Sequence, residues 1–349
     1  MISAHLLALV RCPECRSAVV RDGERVTCRG CGRRYQASAH GFLDMRPSVE
    51  YAEQTKYLDE ALHADARHER VSPPLLGSRI RNDMLRSFLS PGASDRVVDL
   101  GCGSGRTLLW NRDWGSTMVG IDISPHFAEE ARSGVDLLLG DLRKLPFEDG
   151  TFTKAYSLDV LEHLSPEALK GMLVEAARVL APGGGFFVYS HVRKNAPIAV
   201  GLRWINGLAR QLERLGLIDM RQERLRKSDH LNPLRDVPEL EAVARDAGFR
   251  VAKIRFYTPI VGGFVENIMM RMAERAMARR AARRLAGTAP AADVDREAIR
   301  HARTSAKQRI AASPTTHAVL RGLSAAMKLD LLLFGRITSG PFFALLVKE

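Results

Sequence analysis

The chain has 349 residues, of which 46% are hydrophobic and 26% are charged, a composition typical of globular proteins with room for one large domain and an appendage. Only the short run LLALV precedes Arg11, and no stretch of 18 apolar residues occurs, so we expect neither a signal peptide nor a membrane span. The net charge is +12, and the segment from Arg193 to Arg309 holds 25 Lys and Arg against 13 Asp and Glu, which accounts for the whole excess.

Four of the five cysteines form two C-x2-C pairs near the N-terminus, twelve residues apart. Without a secretory signal, cysteines indicate a reducing, cytoplasmic location and favour metal binding or free thiols over disulfides. Four thiolates close a tetrahedral zinc site and leave no open position, so we expect a structural zinc ion. Between the pairs, SAVVRDGERVTC predicts a β-hairpin that turns at Asp22-Gly23. The expected metal ligands are Cys12, Cys15, Cys28 and Cys31.

This first segment is similar to a known zinc ribbon. The stretch from Leu6 to Pro47 resembles the zinc-ribbon activator subunit of RNA and translation-factor methyltransferases, and equally its stand-alone bacterial relatives. The resemblance implies a small zinc-binding module over residues 1–48. The stretch Tyr51–Arg70 is charged and helix-prone, so residues 49–93 are assigned as a helical linker or lid.

From about residue 94, short β-branched strands alternate with helical segments. The strands are DRVVDLG, STMVGIDIS, VDLLLGDL, FTKAYSLDVLEHL and GGFFVYSH, and the last two flank a helix that begins at Ser165-Pro166 and is expected to end at Pro182-Gly183. Alternation at this spacing predicts an α/β fold with a doubly wound, mostly parallel sheet.

The segment VVDLGCGSGRT indicates what the sheet binds. In such sheets a ligand lies beyond the carboxyl ends of the strands, and glycines let the backbone approach it closely. Asp122 ends the next strand, at the distance where an acid accepts hydrogen bonds from the two hydroxyls of a ribose. The pattern G-x-G-x-G lacks the spacing of a dinucleotide site, and Asp99 could balance an ammonium group. An adenosine that carries an amino acid, S-adenosyl-L-methionine (SAM), fits these requirements.

Four blocks, VVDLGCGSGRTL, GIDIS, GDLRKLPFEDGTFTKAYSLDVLEHL and VLAPGGGFFVYS, resemble in order the signature segments of class I SAM-dependent methyltransferases, with the small-molecule and lipid branch most similar. The resemblance implies that the glycine turn surrounds the amino-acid part of SAM, that Asp122 holds the ribose, and that residues after the second, third and fourth strands meet the adenine and the sulfonium. Asp122 could instead be a capping acid, and Asp141 a strand terminator. The implied SAM contacts are Asp99, Gly101, Gly103, Gly105, Asp122, Ile123, Asp141, Leu142 and Ser157.

Three histidines are candidates for a general base over the methyl acceptor. His163 lies in LEHL, His191 ends the fifth strand, and His230 lies in SDHLNP, where the family often places an acceptor-binding segment. Each could instead shape the pocket without moving a proton.

The second half continues the same fold. VPELEAVARDAGFRVAKIRFY predicts a helix and a sixth strand, and GPFFALLVKE resembles the seventh strand of the family, which pairs antiparallel. The segments are therefore assigned as a SAM-binding core at residues 94–257, a basic helical insertion at 258–328, and the last-strand region at 329–349.

Basic amphipathic helices in the second half have three interpretations. They could form a solvated face, bind an anionic membrane surface, or contact nucleic acid. Arg279 and Arg280 lie beside Met269, Met272 and neighbouring methionines, a pattern that favours a lipid surface. The sequence thus predicts a SAM-dependent methyltransferase that acts on oxygen or carbon of a small or lipid-like acceptor. The alternatives are an rRNA or tRNA methyltransferase and a SAM-binding scaffold without catalysis.

Overall fold

The computed structural model describes residues 2–23, 25–38, 40–47, 71–132, 134–193, 199–220, 224, 230–231, 233–285, 313–338 and 340–349. Within these described residues, eleven strands form one sheet. They are β1 (Val19–Asp22), β2 (Arg25–Cys28), β3 (Arg34–Ala37), β4 (Leu43–Asp44), β5 (Arg96–Leu100), β6 (Thr117–Asp122), β7 (Asp136–Leu139), β8 (Phe152–Leu158), β9 (Leu180–His191), β10 (Phe249–Phe256) and β11 (Pro341–Lys348).

Helices of very different lengths surround this sheet. The α-helices are α1 (Ala4–Leu9), α2 (Gly77–Leu89), α3 (Arg106–Trp110), α4 (Glu129–Arg132), α5 (Pro166–Val179), α6 (Ala199–Arg214), α7 (Val237–Asp246), α8 (Ile260–Phe264), α9 (Arg271–Leu285), α10 (Pro314–Met327) and α11 (Leu329–Phe334). Short 3-10 helices span Arg112–Trp114 and Leu161–His163, and a π-helical segment, Val265–Met270, joins α8 to α9.

Strand order confirms the predicted fold class. The seven strands of the main sheet run in the order β7-β6-β5-β8-β9-β11-β10. Neighbours from β7 to β9 are parallel, whereas β11 is antiparallel to both β9 and β10. The order reverses at β5, so the carboxyl ends of β5, β6 and β8 meet at the crevice where doubly wound sheets bind ligands.

Both faces of the sheet are covered by apolar side chains. Successive residues of a strand point to opposite faces, and Val97 and Val98 accordingly belong to different apolar clusters, as do Phe186 and Phe187. One cluster packs beneath α5 and α7, and the other packs beneath α2, α10 and α11. Because the main strands are buried on both faces, they read in the sequence as nearly continuous apolar runs.

Helix α5 begins as predicted and ends earlier. The Ser165 hydroxyl accepts a hydrogen bond from the Ala168 amide, and Pro166 occupies the first turn. The expected end at Pro182-Gly183 is wrong, because Leu180 is already extended and begins β9. Pairing of Leu180 with Phe152 on β8 therefore replaces the last helical turn.

The N-terminal module joins the main sheet. Strands β1 and β2 form the predicted hairpin, in which Asp22 pairs with Arg25. Strand β4 pairs in parallel with β7, Leu43 opposite Leu138, and the Met45 amide donates to the Leu139 carbonyl at 2.9 Å. Apolar side chains of the module belong to the same buried cluster as the main strands; they are Leu6, Val10, Cys12, Val26, Tyr35, Leu43 and Met45.

The helices of the second half hold α2 in place over the sheet. The Gly77 amide donates to the Glu266 carboxylate at 2.9 Å, and the Leu76 amide donates to the Ser324 hydroxyl at 2.8 Å. Buried Asp330 accepts from the amides of Val261 and Gly262 at the start of α8. Parts of the predicted linker and insertion, residues 48–70 and 286–312, lie outside the described residues.

Candidate functional site

The glycine turn between β5 and α3 forms the floor of the candidate site. Gly101 and Gly103 have φ angles of +83° and +53°, in the left-handed region that favours glycine. A Cβ atom on Gly101 would lie 2.5 Å from Cγ2 of Val160, whereas one on Gly103 would meet no described atom within 4 Å. Gly101 is thus required by packing, and Gly103 faces open space where a ligand can approach the backbone.

Asp122, at the carboxyl end of β6, is bound to this turn. One carboxylate oxygen accepts from the Gly103 amide at 2.7 Å, and the other accepts from the Ser124 amide at 2.8 Å. Burial raises the pKa of Asp122, while these amide hydrogen bonds oppose the shift. An ionised carboxylate offers about four acceptor positions, so two remain for ligand hydroxyls.

Asp99 lies behind the turn at the end of β5. Its side chain is almost fully buried, and burial raises its pKa well above the usual range. A cation in the crevice would favour the ionised form and so reverse this shift. The role of Asp99 as counter-charge to an ammonium group of the ligand therefore stays a prediction.

A cleft of about 200 Å³ opens above the glycine turn. Of the predicted contacts, Asp99, Gly101 and Gly103 line it directly, and Asp122 borders it through Gly103. Helix α2 and the end of β8 also line the cleft, and no motif in the sequence indicated either contribution. The residues from these two elements are Ser78, Arg81, Asn82, Leu158 and Asp159.

Arg81 closes one side of the cleft. Its guanidinium lies 3.4 Å from the Asp159 carboxylate and 5.5 Å from the ring centroid of Tyr189. Ligand sites usually enclose about 300–1,000 Å³, so this open cleft of about 200 Å³ holds only part of a ligand the size of SAM. Helix α2 falls in the predicted linker or lid over residues 49–93, and nothing in that assignment marks Arg81 as a cleft residue.

The remaining predicted SAM contacts lie around the cleft rather than in its described lining. The hydroxyl of fully buried Ser157 donates to the Leu100 carbonyl at 2.7 Å. The Asp141 carboxylate accepts from the Arg143 amide at 2.7 Å, and the Ile123 carbonyl accepts from Arg46 at 3.2 Å. Leu142 packs against the buried apolar cluster beneath α5, and Gly105 is the N-cap residue that precedes α3.

The three candidate histidines converge at the carboxyl ends of β8 and β9. The ring centroids of His163 and His230 are 4.6 Å apart, and those of His191 and His230 are 6.2 Å apart. Buried Glu162 lies among them, with one carboxylate oxygen 3.4 Å from Nδ1 of His191. The sequence named these histidines one by one, and the sheet brings them together with an acid that the sequence analysis did not select.

The four cysteines of the N-terminal module form a second cluster. Their sulfur atoms all lie within 4.8 Å of one another, with Cys12 3.7 Å from Cys31 and Cys15 3.4 Å from Cys28. Zinc with Zn–S bonds of about 2.3 Å requires sulfurs about 3.8 Å apart in a tetrahedron. The Gly30 and Cys31 amides point at the Cys28 sulfur, at 3.3 and 3.4 Å, which suits a thiolate. The donor set therefore fits zinc.

The basic helices expose both charge and apolar surface. Arg279 and Arg280 are exposed on α9, and Arg279 donates to the Gly216 carbonyl at 2.7 Å. Met269 and Met272 are about two-fifths exposed, whereas Met270 packs against the apolar cluster beneath α2. Among the described residues, no helix combines the length and the apolar character needed to cross a bilayer.

Comparison with known proteins agrees with the geometry of this crevice. Residues 98–188 match the family model described as a methyltransferase domain. This segment begins in β5 and ends in β9, and so contains the glycine turn, Asp122, Glu162 and His163. Residues 98–188 are therefore similar to methyltransferase domains.

Individual relatives match only part of the chain. Sterol 4-C-methyltransferase strm-1 of Caenorhabditis elegans is 36% identical over 107 residues, which cover 28% of this chain and 31% of that protein. Tocopherol O-methyltransferase of Arabidopsis thaliana is 26% identical, over 45% of this chain and 44% of the relative. Probable tRNA methyltransferase 9B of Mus musculus is 36% identical, over 37% of this chain and 30% of that protein. The chain thus spans less than half the length of each of these relatives.

Among solved structures, phosphoethanolamine N-methyltransferase 2 of Haemonchus contortus in complex with SAM is similar at a TM-score of 0.48. It is 14% identical in sequence, and the match covers 95% of this chain and 71% of that one.

Proposed function

We propose that the chain transfers the methyl group of SAM to an oxygen or carbon atom of a small or lipid-like acceptor. The observation that carries the proposal is the half-buried Asp122 carboxylate, which accepts a hydrogen bond from the Gly103 amide at the reversal point of the sheet. SAM supplies an electrophilic methyl group on a sulfonium. The chain's part is to hold that group in line with the acceptor, because positioning supplies much of the rate in such displacements.

The residues around the crevice have different proposed roles in binding SAM. Asp99 balances the positive charge of the ligand, and Asp122 accepts hydrogen bonds from the ribose hydroxyls. Ile123, Asp141 and Leu142 surround the adenine from the sheet edge. Gly101, Gly103 and Gly105 give the turn its path, and Ser157 fixes the end of β8 through the Leu100 carbonyl.

The histidine cluster is the proposed site of acceptor activation. His163, His191 and His230 lie at the ends of β8 and β9, next to the cleft, and one of them would take the proton of an acceptor hydroxyl. Replacing the active histidine by glutamine should slow turnover by about 100- to 10,000-fold, the usual range for a general base, while leaving SAM affinity unchanged. A rate loss that follows weaker SAM binding in all three variants would remove this role.

The acceptor class is supported by the relatives that are named sterol and tocopherol methyltransferases. The tRNA methyltransferase relative and the charge of +12 favour RNA as a second candidate. Incubation of the full chain with SAM labelled in the methyl group, separately with a lipid extract and with total RNA, distinguishes the two. Label in lipid supports the proposal, and label in RNA replaces it. No label in either fraction, with SAM bound, supports a scaffold without catalysis.

We also propose that Cys12, Cys15, Cys28 and Cys31 hold one structural zinc ion. All four positions would be protein thiolates, so the ion would stabilise the module over residues 1–48 rather than meet substrate. Metal analysis of the purified chain should find zinc, and the Cys28→Ser variant should lose it. Retention of zinc in that variant would contradict the assignment.

The basic helices are proposed to contact an anionic membrane from the cytoplasmic side. Exposed Arg279 and Arg280 supply charge, and exposed Met269 and Met272 supply apolar surface. Each basic side chain contributes about 1 kcal/mol near an anionic surface. The chain should sediment with anionic vesicles and not with neutral ones, and glutamate at both arginines should release it. Equal sedimentation of the charge-reversed variant would contradict this proposal.

A further inference from the structure

A second set of metal-ligand side chains lies beside the cleft, in the histidine cluster. Glu162, His163 and His230 each present a ligand atom, and these atoms all lie within 4.8 Å of one another. Glu162 and His163 belong to the short 3-10 helix that follows β8. His230 comes from a distant part of the chain and is held there by its neighbour, because the Leu231 amide donates to the Glu162 carbonyl at 2.7 Å.

The Glu162 carboxylate is buried and incompletely satisfied. The side chain is about 1% exposed, and its Oε2 atom accepts a hydrogen bond from the Ser190 hydroxyl at 2.8 Å. Its Oε1 atom has no hydrogen bond among the described residues, although Nδ1 of His191 lies 3.4 Å away. A buried carboxylate oxygen without a hydrogen bond is costly, and a cation at this position would remove that cost.

The chemistry of the side chains indicates which cation fits. Two imidazoles and one carboxylate are typical ligands for zinc or ferrous iron and poor ligands for magnesium or calcium, which prefer oxygen. Ser190 fixes the carboxylate in the way that outer-shell partners fix metal ligands. Three protein ligands leave at least one coordination position open, as in catalytic rather than structural sites.

We propose that Glu162, His163 and His230 bind one divalent transition-metal ion, and that its open position takes the hydroxyl oxygen of the methyl acceptor. The second clause rests on the proposed methyl transfer, whereas the first does not.

The position of the cluster relative to the cleft supports this role. Asp159 lines the cleft three residues before Glu162. The Tyr189 ring has the Arg81 guanidinium 5.5 Å from its centroid and the His191 ring at 5.7 Å between centroids. The cluster and the cleft are therefore neighbours along the carboxyl ends of β8 and β9.

The transfer step balances without a further reactant. Coordination lowers the pKa of a hydroxyl, whose proton passes to His191, the candidate base that is not a metal ligand in this proposal. An oxygen lone pair then forms the new oxygen–carbon bond while the carbon–sulfur bond breaks, and that electron pair stays on sulfur. The products are a methyl ether and S-adenosylhomocysteine.

Cobalt(II) titration of the full chain, with zinc retained in the cysteine site, tests the metal site without SAM or acceptor. We expect one further equivalent of cobalt per chain, with d–d absorption and no thiolate charge-transfer band. Glu162→Gln and His230→Gln should each weaken this binding by more than about 100-fold, and Ser190→Ala by about 10- to 100-fold. His317→Gln, the same change at a histidine on α10 outside the cluster, should leave it unchanged.

Three outcomes would overturn the metal site. They are no further equivalent of cobalt, a charge-transfer band that assigns the cobalt to cysteine, and binding that persists in both Glu162→Gln and His230→Gln. Circular dichroism of each variant verifies that the fold is retained, and His163→Gln gives an independent variant if one fails to fold. SAM titration of the same proteins keeps the two proposals apart. If a variant loses cobalt but binds SAM normally, the change affects the metal site alone. If the unmodified chain does not bind SAM, the proposed methyl transfer is contradicted and the metal site is not.

Discussion

The cysteine cluster has four metal-ligand side chains, and the histidine cluster of Glu162, His163 and His230 has three. The two clusters differ in how far apart in the sequence their members lie. The cysteines lie within 20 residues of one another, and two tight turns bring their sulfurs together. The histidine cluster joins residues from 162 to 230, and His230 reaches it because the Leu231 amide donates to the Glu162 carbonyl. The first site can therefore be recognised from spacing, whereas the second requires the topology.

The largest predicted effect is the loss of structure in the N-terminal module when zinc is removed. Zinc contributes about 10–16 kcal/mol of binding free energy in small zinc modules, and the short strands β1 to β3 pack around its ligands. In Cys28→Ser, we expect amides of residues 2–47 to lose protection from hydrogen exchange, while β5, β8 and β9 remain protected. Cys102→Ala, a change at the buried cysteine outside the cluster, serves as the control. Full protection of residues 2–47 in the zinc-free variant would contradict this account.

Truncation of Leu43 tests whether the module is a separate unit. This side chain is about 1% exposed, and it lies on β4, which pairs with β7 of the main sheet. Leu43→Ala should lower the free energy of unfolding by about 2–5 kcal/mol within a single transition, because the cavity opens in a shared core. Leu215→Ala, at a residue 70% exposed, should change it by less than about 0.5 kcal/mol. Separate transitions in urea would indicate an independent module.

The smallest predicted effect is a pH dependence of stability and of SAM affinity that comes from Asp99, a residue of the cleft. Its pKa is raised by burial, so the folded chain holds a proton that the unfolded chain releases at lower pH. Stability should therefore fall as pH rises through the raised pKa, and a cationic ligand should lower that pKa. As pH rises toward the raised pKa of Asp99, SAM affinity should increase by up to about tenfold per pH unit. In this pH range, binding of SAM should release up to one proton from Asp99. Calorimetry in two buffers of different ionisation enthalpy measures the proton. If the pH dependence of SAM affinity persists in Asp99→Asn, another titratable group causes it.

Much of the fold was predictable because it depends on local patterns. The capped start of α5 at Ser165-Pro166, the hairpin at Asp22-Gly23 and the alternating strands each follow from short-range signals. The end of α5 was wrong because pairing of Leu180 with Phe152 on β8 decides it, and that contact lies outside the local pattern.

The site was predictable where one segment supplies it. Asp99, Gly101, Gly103 and Asp122 follow from the glycine turn and the end of the next strand. Arg81 was missed because α2 is brought over the cleft by the helices of the second half, through hydrogen bonds to Glu266 and Ser324. Glu162 was missed because its role depends on His191 and His230, which only the sheet and the following loop bring near.

Calorimetric titration of the full chain with SAM, repeated with Asp122→Ala, tests the central claim most directly. The account predicts one site per chain and a loss of about 1.5–3 kcal/mol in the variant, because hydrogen bonds to a charged group are lost. Asp136→Ala is the matched control, since that aspartate lies at the opposite end of the neighbouring strand β7 and contacts Ser3 and His5. No binding by the unmodified chain, or equal affinity in Asp122→Ala, would contradict the assignment of this crevice to SAM.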